Sequence, residues 1–343
     1  MAAKYLIRLY LKYFFFILFS LVVFFVGLDF LTSLKSLPKS ANLQLLYAAF
    51  KALYGVDILL PISLIFAMIW TKLHLIRSNE LVALYALGYD KRSVIRPIFL
   101  TSLIITILYI LLHATPITYA EEYAKNIKKY GAISSLTQNL FFKYKNNFVF
   151  FGQLFPLQQM AQNVKIYELE DRQLQRLLIA QKAYFQDNRW YLKNAQIVIP
   201  ASEKLRISQG DVTTLDGYKP KILDSIYEGK TNISLVDALY ALKLFSKERL
   251  NLQKIEAVLL YQVFYPFFAP LVLIIIFYFV PVSARLANLN LFTFGAIIAT
   301  LLFWGLYYSL VKLSFTGTLD AVLAIVGPLI PLGLLAGFFY KRF

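Results

Sequence analysis

Six long apolar runs dominate the pattern of hydrophobic and polar positions along this chain of 343 residues. A helix needs about 20 mostly apolar residues to cross the hydrocarbon core of a bilayer. The runs therefore predict six transmembrane helices. Their approximate bounds are residues 13–31, 53–73, 98–113, 257–280, 291–310 and 319–340.

A polar segment, residues 115–250, separates the third run from the fourth. It contains short stretches in which apolar and polar residues alternate, as they do in half-buried β-strands. Regularly spaced short strands indicate a β-sandwich or an open barrel. The expected strands are residues 147–153, 164–170, 174–185, 190–200 and 205–212, with turns at Asp171-Arg172 and Asp187-Asn188.

Helices are expected at both borders of this segment, over residues 118–129 and over residues 234–249, where Ser234 is the predicted cap. The sequence thus predicts an α-helical membrane protein in three parts. They are transmembrane helices one to three in residues 1–114, an inserted β domain in residues 115–250, and transmembrane helices four to six in residues 251–343.

A short polar-flanked helix is predicted at residues 79–87, between the second and third apolar runs. Ser78 or Asn79 is the expected N-cap, and Glu80 lies in the first turn, where the helix dipole favours a negative charge. Gly88 is the expected left-handed stop. At about 1.5 Å per residue this helix is too short to cross a bilayer.

One face of this short helix is predicted to be apolar. Leu81, Leu84 and Tyr85 are spaced i, i+3 and i+4, so their side chains form a single stripe. The stripe suits a helix that docks on a soluble partner. It suits equally a helix that lies on the lipid surface, and the pattern alone does not separate the two.

Composition supports a membrane protein and excludes several other classes. Hydrophobic residues make up 59% of the chain, well above the 45–50% or so of soluble domains. The absence of cysteine excludes disulfides and thiolate metal sites. A net charge of +16 would suit a nucleic-acid-binding protein, but in so apolar a chain it indicates cytoplasmic loops and contact with anionic head groups. We expect no nucleic-acid partner.

The distribution of cations in the short segments predicts the orientation. On the side of the short helix the sequence places Lys4, Arg8, Lys12, Lys72, Arg77, Lys91, Arg92, Arg96, Arg285, Lys341 and Arg342. On the other side it places Lys35, Lys39, Lys51 and Lys312. Both termini and the short helix are therefore expected in the cytoplasm, with the β domain outside.

Motifs of the common enzyme classes are missing from the sequence. It has no G-x-x-x-x-G-K-[ST] phosphate loop, no G-x-S-x-G elbow and no H-E-x-x-H motif. Its two histidines, His74 and His113, fall on opposite sides of the predicted membrane and cannot share a metal. We therefore expect no enzymatic activity, no cofactor and no metal site.

Charged residues near the outer ends of the spans are candidates for contact with lipid. Asp29 and Asp57 lie near these ends, where a carboxylate costs little, so a proton relay is disfavoured. A negatively charged lipid head group could instead be held by cations of the outer side. The candidates are Lys35, Lys39 and Lys312, and ordinary interfacial lysines explain them equally well.

The short helix carries a recognisable motif. Arg77, Glu80, Leu81, Ala86 and Gly88 match the pattern R-x-x-E-L-x-x-x-x-A-x-G. With the 3 + 3 layout of spans and the N-F-V-F-F run at Asn147, this sequence resembles the permeases of lipopolysaccharide export, LptF and LptG, and is somewhat closer to LptG.

The resemblance implies a fold, a function and a set of partners. The inserted domain would be a periplasmic β-jellyroll, and residues 78–88 would be a coupling helix bound by a dimeric cytoplasmic ABC ATPase. In that arrangement Glu80 faces a groove on the ATPase and Leu81 and Leu84 pack into it, while Arg77 and Gly88 complete the coupling motif.

The same resemblance implies how the transporter works. Two permeases would pair and form a gate from their first and fifth spans. Lipopolysaccharide would leave the inner membrane through this gate and enter the jellyroll. It would then pass to a single-span periplasmic partner with a similar jellyroll (LptC-like), and along a bridge to the outer membrane.

Two other functions are compatible with the sequence. A secondary transporter would require paired charges at mid-bilayer and inverted repeats, and neither is visible. A non-transporting receptor or assembly protein would have no ATPase partner.

Overall fold

The computed structural model describes residues 2–134, 136–170, 173–200, 205–227, 231–246, 252–282 and 288–343. Six helical segments in this part of the chain are long and apolar enough to cross a membrane, in agreement with the six predicted runs. The expected turn at Asp171-Arg172, the cation Arg285 and the end of the predicted helix at residues 247–249 lie outside the described residues.

The first three spans are long helices joined by short connections. They are α1 (Ala2–Ser33), α2 (Ala41–Arg77) and α4 (Lys91–Leu112), and the short helix α3 (Glu80–Ala86) lies between α2 and α4. The start of α4 is capped because Asp90 accepts a hydrogen bond from the Ser93 amide. Helices α1 and α2 exceed their predicted runs at both ends, and α4 begins before its run, because polar residues extend these helices beyond the apolar core.

The insert begins with a 3-10 turn at Pro116–Tyr119 and helix α5 (Ala120–Tyr130) and continues as a sheet. All six strands are antiparallel, and each pairs with its neighbour in sequence. This arrangement is consistent with the predicted jellyroll-like insert. The strands are β1 (Thr137–Tyr144), β2 (Asn147–Phe155), β3 (Met160–Glu170), β4 (Gln173–Gln186), β5 (Arg189–Ile199) and β6 (Arg206–Thr214).

Alternating side chains build the core of this sheet. Val149 on β2 pairs with Ile166 on β3, which pairs with Leu178 on β4, and all three side chains are fully buried. Trp190 on β5 is also buried, and its indole N–H donates to the Tyr218 carbonyl at 2.8 Å. Strand β6 forms one edge and contributes no fully buried side chain.

Two short helices follow the sheet: α6 (Pro220–Tyr227), which packs on β1 and β2, and α7 (Leu235–Phe245). Ser234 caps α7, as predicted, because its hydroxyl accepts from the Asp237 amide. The predicted turn at Asp187-Asn188 is also confirmed. Both residues have positive φ angles, 47° and 64°, as a type I′ hairpin requires.

Spans four and six are interrupted helices, whereas span five is one continuous helix. The fourth consists of α8 (Gln253–Phe264), a 3-10 turn at Tyr265–Phe267 and α9 (Phe268–Phe279). Pro266 lies in this turn, where it removes a backbone donor from the helix. The fifth is α10 (Leu289–Phe315), and the sixth joins a π turn at Val322–Val326 to α11 (Leu329–Lys341).

The chain divides into two compact units. The membrane unit contains residues 1–35, 48–120 and 256–343, and the β unit contains residues 36–47 and 121–255. Within the membrane unit the spans differ in burial. Spans two and four have 56% of their most apolar window buried, whereas spans one and five have 11% and 17%.

Candidate functional site

The short helix α3 is bordered by a predicted cap residue and the predicted stop. Gly88 has φ +86°, and the amides of Gly88 and Tyr89 donate to the carbonyls of Tyr85 and Leu84, which is the Schellman arrangement. The N-cap residue is Asn79, one of the two predicted. Asn79 occupies the cap position with φ 60° and makes no side-chain cap bond, so the left-handed residue itself turns the chain out of α2.

The predicted apolar stripe faces the chain's own bundle. Leu81 is fully buried, and Leu84 and Tyr85 are half-buried. Burial raises the pKa of Tyr85 to about 12, so its hydroxyl stays neutral. In this conformation Leu81 packs within the chain's own bundle, and its contact with a partner's groove stays a prediction.

A second apolar face of α3 is exposed instead. Leu87 has 75% of its surface accessible, and Val82 is 45% exposed. Four residues with spacing i, i+1, i+4 and i+5 form this face, and this spacing places them on one side of the helix. This outer face consists of Val82, Ala83, Ala86 and Leu87.

Glu80 connects α3 to the first span. Its Oε2 accepts a hydrogen bond from the Tyr5 hydroxyl on α1 at 2.5 Å. Its Oε1 lies 3.9 Å from Nε2 of His74, which is on α2. Nδ1 of the same histidine is hydrogen-bonded to the hydroxyl of Tyr13 on α1 at 3.0 Å. The glutamate of the coupling motif is thus part of a polar cluster with span one.

Lys72, near the end of α2, is bonded to the fourth span. Its ammonium donates to the carbonyls of Phe277 and Val280 at 2.6 and 3.0 Å, and it lies 3.9 Å from the Phe277 ring centroid. Only 2% of its surface is exposed. The cation therefore satisfies carbonyls at the C-terminal end of α9, where the helix dipole is negative.

Two arginines bond the turn to the last two spans. Arg77 donates to Oδ1 of Asn290 at the start of α10, at 3.3 Å. Arg92, in the first turn of α4, donates to the Lys341 carbonyl at the end of α11, at 2.6 Å. We call residues 72–92 the coupling turn. Through these side chains it is bonded to spans one, four, five and six.

Sequence reasoning identified α3 but missed most of these bonds. The sequence places Lys72 and Arg92 among the cations expected in the cytoplasm, and it gives no sign of a bond from Tyr5. A lysine inside an otherwise apolar run was the available signal, because a buried ammonium requires oxygen partners. The sequence does not show which span supplies them.

The three lysines predicted to contact lipid head groups are all exposed. Lys312 lies in the last turn of α10, with its ammonium 5.0 and 5.5 Å from the ring centroids of Tyr308 and Phe315. Lys35 follows α1 in the membrane unit, whereas Lys39 belongs to the β unit. Their role in lipid binding stays a prediction.

The carboxylates near the predicted outer ends of the spans are paired. Asp29 lies 2.9 Å from the ammonium of Lys51. Oδ1 of Asp57 lies 2.9 Å from Nε2 of the buried His113, and it also accepts from the Tyr109 hydroxyl at 2.8 Å. His113 is thus buried beside a carboxylate and a tyrosine hydroxyl. Among the described residues, no cluster of three or more potential ligands could hold a metal.

Comparison with known proteins identifies the family. The family model described as "Lipopolysaccharide export system permease LptF/LptG" matches residues 4–342, essentially the whole chain. That description covers LptF and LptG together. No curated protein matches the chain. By the extent of the family match and by its six spans around a β insert, the chain belongs to the lipopolysaccharide export permeases LptF/LptG, as a multi-pass inner-membrane protein of a complex with other export components.

Proposed function

We propose that this permease is the transmembrane subunit of an ABC transporter that extracts lipopolysaccharide from the inner membrane with ATP hydrolysed by a partner. The observation that carries the proposal is the coupling turn. It presents an exposed apolar helix face, and side chains of the same turn are bonded to four other spans. Force applied to α3 would therefore reach most of the membrane unit.

The partner that docks on α3 is a cytoplasmic ABC ATPase dimer. The chain has no phosphate loop of its own, so it is not the enzyme that hydrolyses ATP. The docking surface is the outer face with Val82 and Leu87, together with the accessible part of Glu80, whose side chain is 37% exposed. Arg77, Leu81, Leu84 and Gly88 shape the helix that presents this surface.

The coupling turn and both termini lie in the cytoplasm in this proposal, and the β unit lies in the periplasm. The excess of Lys and Arg on the side of the coupling turn supports this orientation. Apart from Arg285, which lies outside the described residues, these cations flank the ends of the described membrane helices.

A second permease subunit completes the membrane pathway. Spans one and five support this step, because they are the least buried of the six, and they carry exposed apolar side chains along their length. The proposed gate consists of α1 and α10 of each subunit. Lys35, Lys39 and Lys312 are proposed to contact the lipid phosphates.

The β unit is proposed to receive the lipid and pass it to a single-span periplasmic protein with a similar fold, which leads to a bridge toward the outer membrane. Strand β6 supports this partnership because among the described residues it pairs with β5 alone, and Ile207 on it and Leu205 beside it are exposed. An exposed edge is a ready template for strand addition from another sheet.

A single-thiol experiment tests the ATPase partnership. The chain has no native cysteine, so Leu87→Cys supplies one thiol on the outer face of α3. Cross-linking in native membranes followed by mass spectrometry should give an ABC ATPase subunit as the main adduct. Leu81→Cys is the matched control, because its side chain is buried and should react poorly.

Other outcomes of this experiment, and of a lipid-export assay on the variants, favour other functions. Adducts of Leu87→Cys only to lipid would mean that α3 lies on the membrane surface, and the ATPase proposal would be wrong. Lipid export that continues without any ATPase and fails in Asp57→Asn would favour a secondary transporter that uses the Asp57–His113 pair. Unchanged export in all variants would favour a receptor or assembly protein.

A further inference from the structure

We propose that Glu80 is a positioning residue that ties the docking helix directly to span one, with Tyr5 as its partner and with His74 and Tyr13 as a second tie. This inference rests on the proposed function and adds the path by which a movement of the docking helix reaches the membrane spans. The docking helix would move α1 first, and the other spans would follow through α2 and α4.

The bonding pattern around the coupling turn singles out span one. Lys72 and Arg77, which reach spans four and five, belong to α2, and Arg92, which reaches span six, belongs to α4. Among the described contacts, Glu80 is the residue of α3 whose side chain is hydrogen-bonded to span one, α1. A displacement of α3 therefore acts on α1 without an intermediate helix.

The carboxylate of Glu80 can serve two partners at once. An ionised carboxylate has about four acceptor positions on its two oxygens. Oε2 is used by the Tyr5 hydroxyl, whereas Oε1 has its nearest cationic candidate, His74 Nε2, at 3.9 Å. With 37% of the side chain exposed, Oε1 is open to a cation of the docked protein. One residue can thus receive the partner and hold span one.

A second bond fixes the direction of span one relative to the turn. Tyr13 is eight residues beyond Tyr5 on α1, which is about 12 Å along a helix. Its hydroxyl bonds to Nδ1 of His74, so α1 is held at two separate points. Two points on a rigid rod determine its tilt as well as its position.

Span one is packed near its start, where Tyr10 is fully buried and its hydroxyl donates to the Leu64 carbonyl at 3.0 Å, but little of its most apolar stretch is buried. Only 11% of its apolar window is buried, the lowest value among the six spans. Beside Tyr13 and His74 lies a cleft of about 640 Å³, which Trp70 and Phe294 also line. The cleft gives α1 room to shift at this end when the bonds move.

Removal of the Tyr5 hydroxyl tests the tie. Tyr5→Phe keeps the ring and leaves Glu80 free for the ATPase, so the complex should assemble and hydrolyse ATP at its normal rate. Lipid released per ATP should fall about three- to tenfold, as expected for the loss of one charge-assisted hydrogen bond at the point of transmission. Tyr130→Phe, which removes an exposed hydroxyl at the end of α5, outside the coupling turn, is the control and should transport normally.

A double-mutant cycle separates the tie from a merely structural role. If Tyr5 acts through Glu80, Tyr5→Phe should have no further effect on the transport-to-ATPase ratio in a Glu80→Ala background, which has no acceptor for the Tyr5 hydroxyl. Additive losses, or a parallel fall in transport and ATP hydrolysis in Tyr5→Phe, would overturn the inference.

Cross-linking tests the geometry independently of transport. In membranes, a short bifunctional maleimide should join Tyr5→Cys to Glu80→Cys far more readily than Tyr5→Cys to Leu87→Cys, because residue 87 lies about 10 Å farther along α3. Equal yields would overturn the inference and leave the ATPase proposal intact. Failure of Leu87→Cys to capture an ATPase would overturn the proposed function, while a preferential 5–80 cross-link would still establish the tie.

Discussion

At the residue scale, Lys72 shows how a charge is accommodated within an apolar helix bundle. Its ammonium is buried, yet it satisfies two carbonyls that the end of α9 would otherwise leave without helical partners. The charge also lies at the negative end of the α9 dipole. The residue is therefore a structural clamp between spans two and four.

We predict that Lys72→Met lowers the free energy of unfolding by about 1–3 kcal/mol, because the methionine fills the space but leaves the Phe277 and Val280 carbonyls unsatisfied. Thermal unfolding of the purified protein in detergent measures the loss. Lys12→Met, which changes an exposed lysine of α1, is the control and should unfold like the original. Equal unfolding temperatures for both variants would mean that the clamp does not contribute to stability.

At the element scale, the position of α3 depends on the caps at its borders. Asp90 begins α4 directly after the Gly88 stop, and its carboxylate accepts from both the amide and the hydroxyl of Ser93. These bonds hold the pKa of the exposed Asp90 carboxyl below its ordinary value of 3.8. The cap therefore works fully above that pH and is lost as the pH falls through the lowered pKa of the folded state.

We predict a pH-dependent effect for Asp90→Ala. At pH 7 the variant should unfold at a lower temperature than the original chain, since the charged cap is gone. As the pH falls below 3.8 and then through the lowered pKa of the folded state, the difference should shrink, because the Asp90 carboxylate of the original chain becomes protonated over that range. Asp90→Asn should cap α4 at both pH values, and a difference between Asp90→Ala and the original that does not change with pH would contradict the assignment.

At the scale of the whole molecule, the family match and the six spans establish a lipopolysaccharide export permease of the inner membrane. The orientation is open to a direct measurement. Leu87 on α3 and Ile207 on β6 are exposed side chains from the two units, and the chain contains no competing thiol.

We predict that Ile207→Cys reacts with a membrane-impermeant maleimide in cells whose outer membrane has been permeabilised. Leu87→Cys should react only after the inner membrane is opened, because the positively charged side of the protein stays in the cytoplasm. The two single-thiol proteins are controls for each other. Labelling in the reverse pattern would invert the proposed topology.

Local patterns in the sequence are sufficient for the spans, the insert and the end of α3. Hydrocarbon accepts only a helix whose backbone bonds are internal, so the apolar runs predict the spans directly. Gly88 predicts the end of α3 in a left-handed conformation, because few other residues adopt that conformation readily. Strand β1 was not predicted, because three consecutive apolar residues, Leu140, Phe141 and Phe142, break the alternation of apolar and polar positions. Asn139, just before them, has φ 55°.

The contacts between spans could not be inferred in the same way. Helix α3 is apolar on two sides, and packing within the bundle rather than residue type determines that Leu81 is buried and Leu87 exposed. The partners of Lys72 and Glu80 lie 205 and 75 residues away in sequence. Local periodicity reports on neighbours within one helix, whereas these bonds exist only after separate helices have packed together.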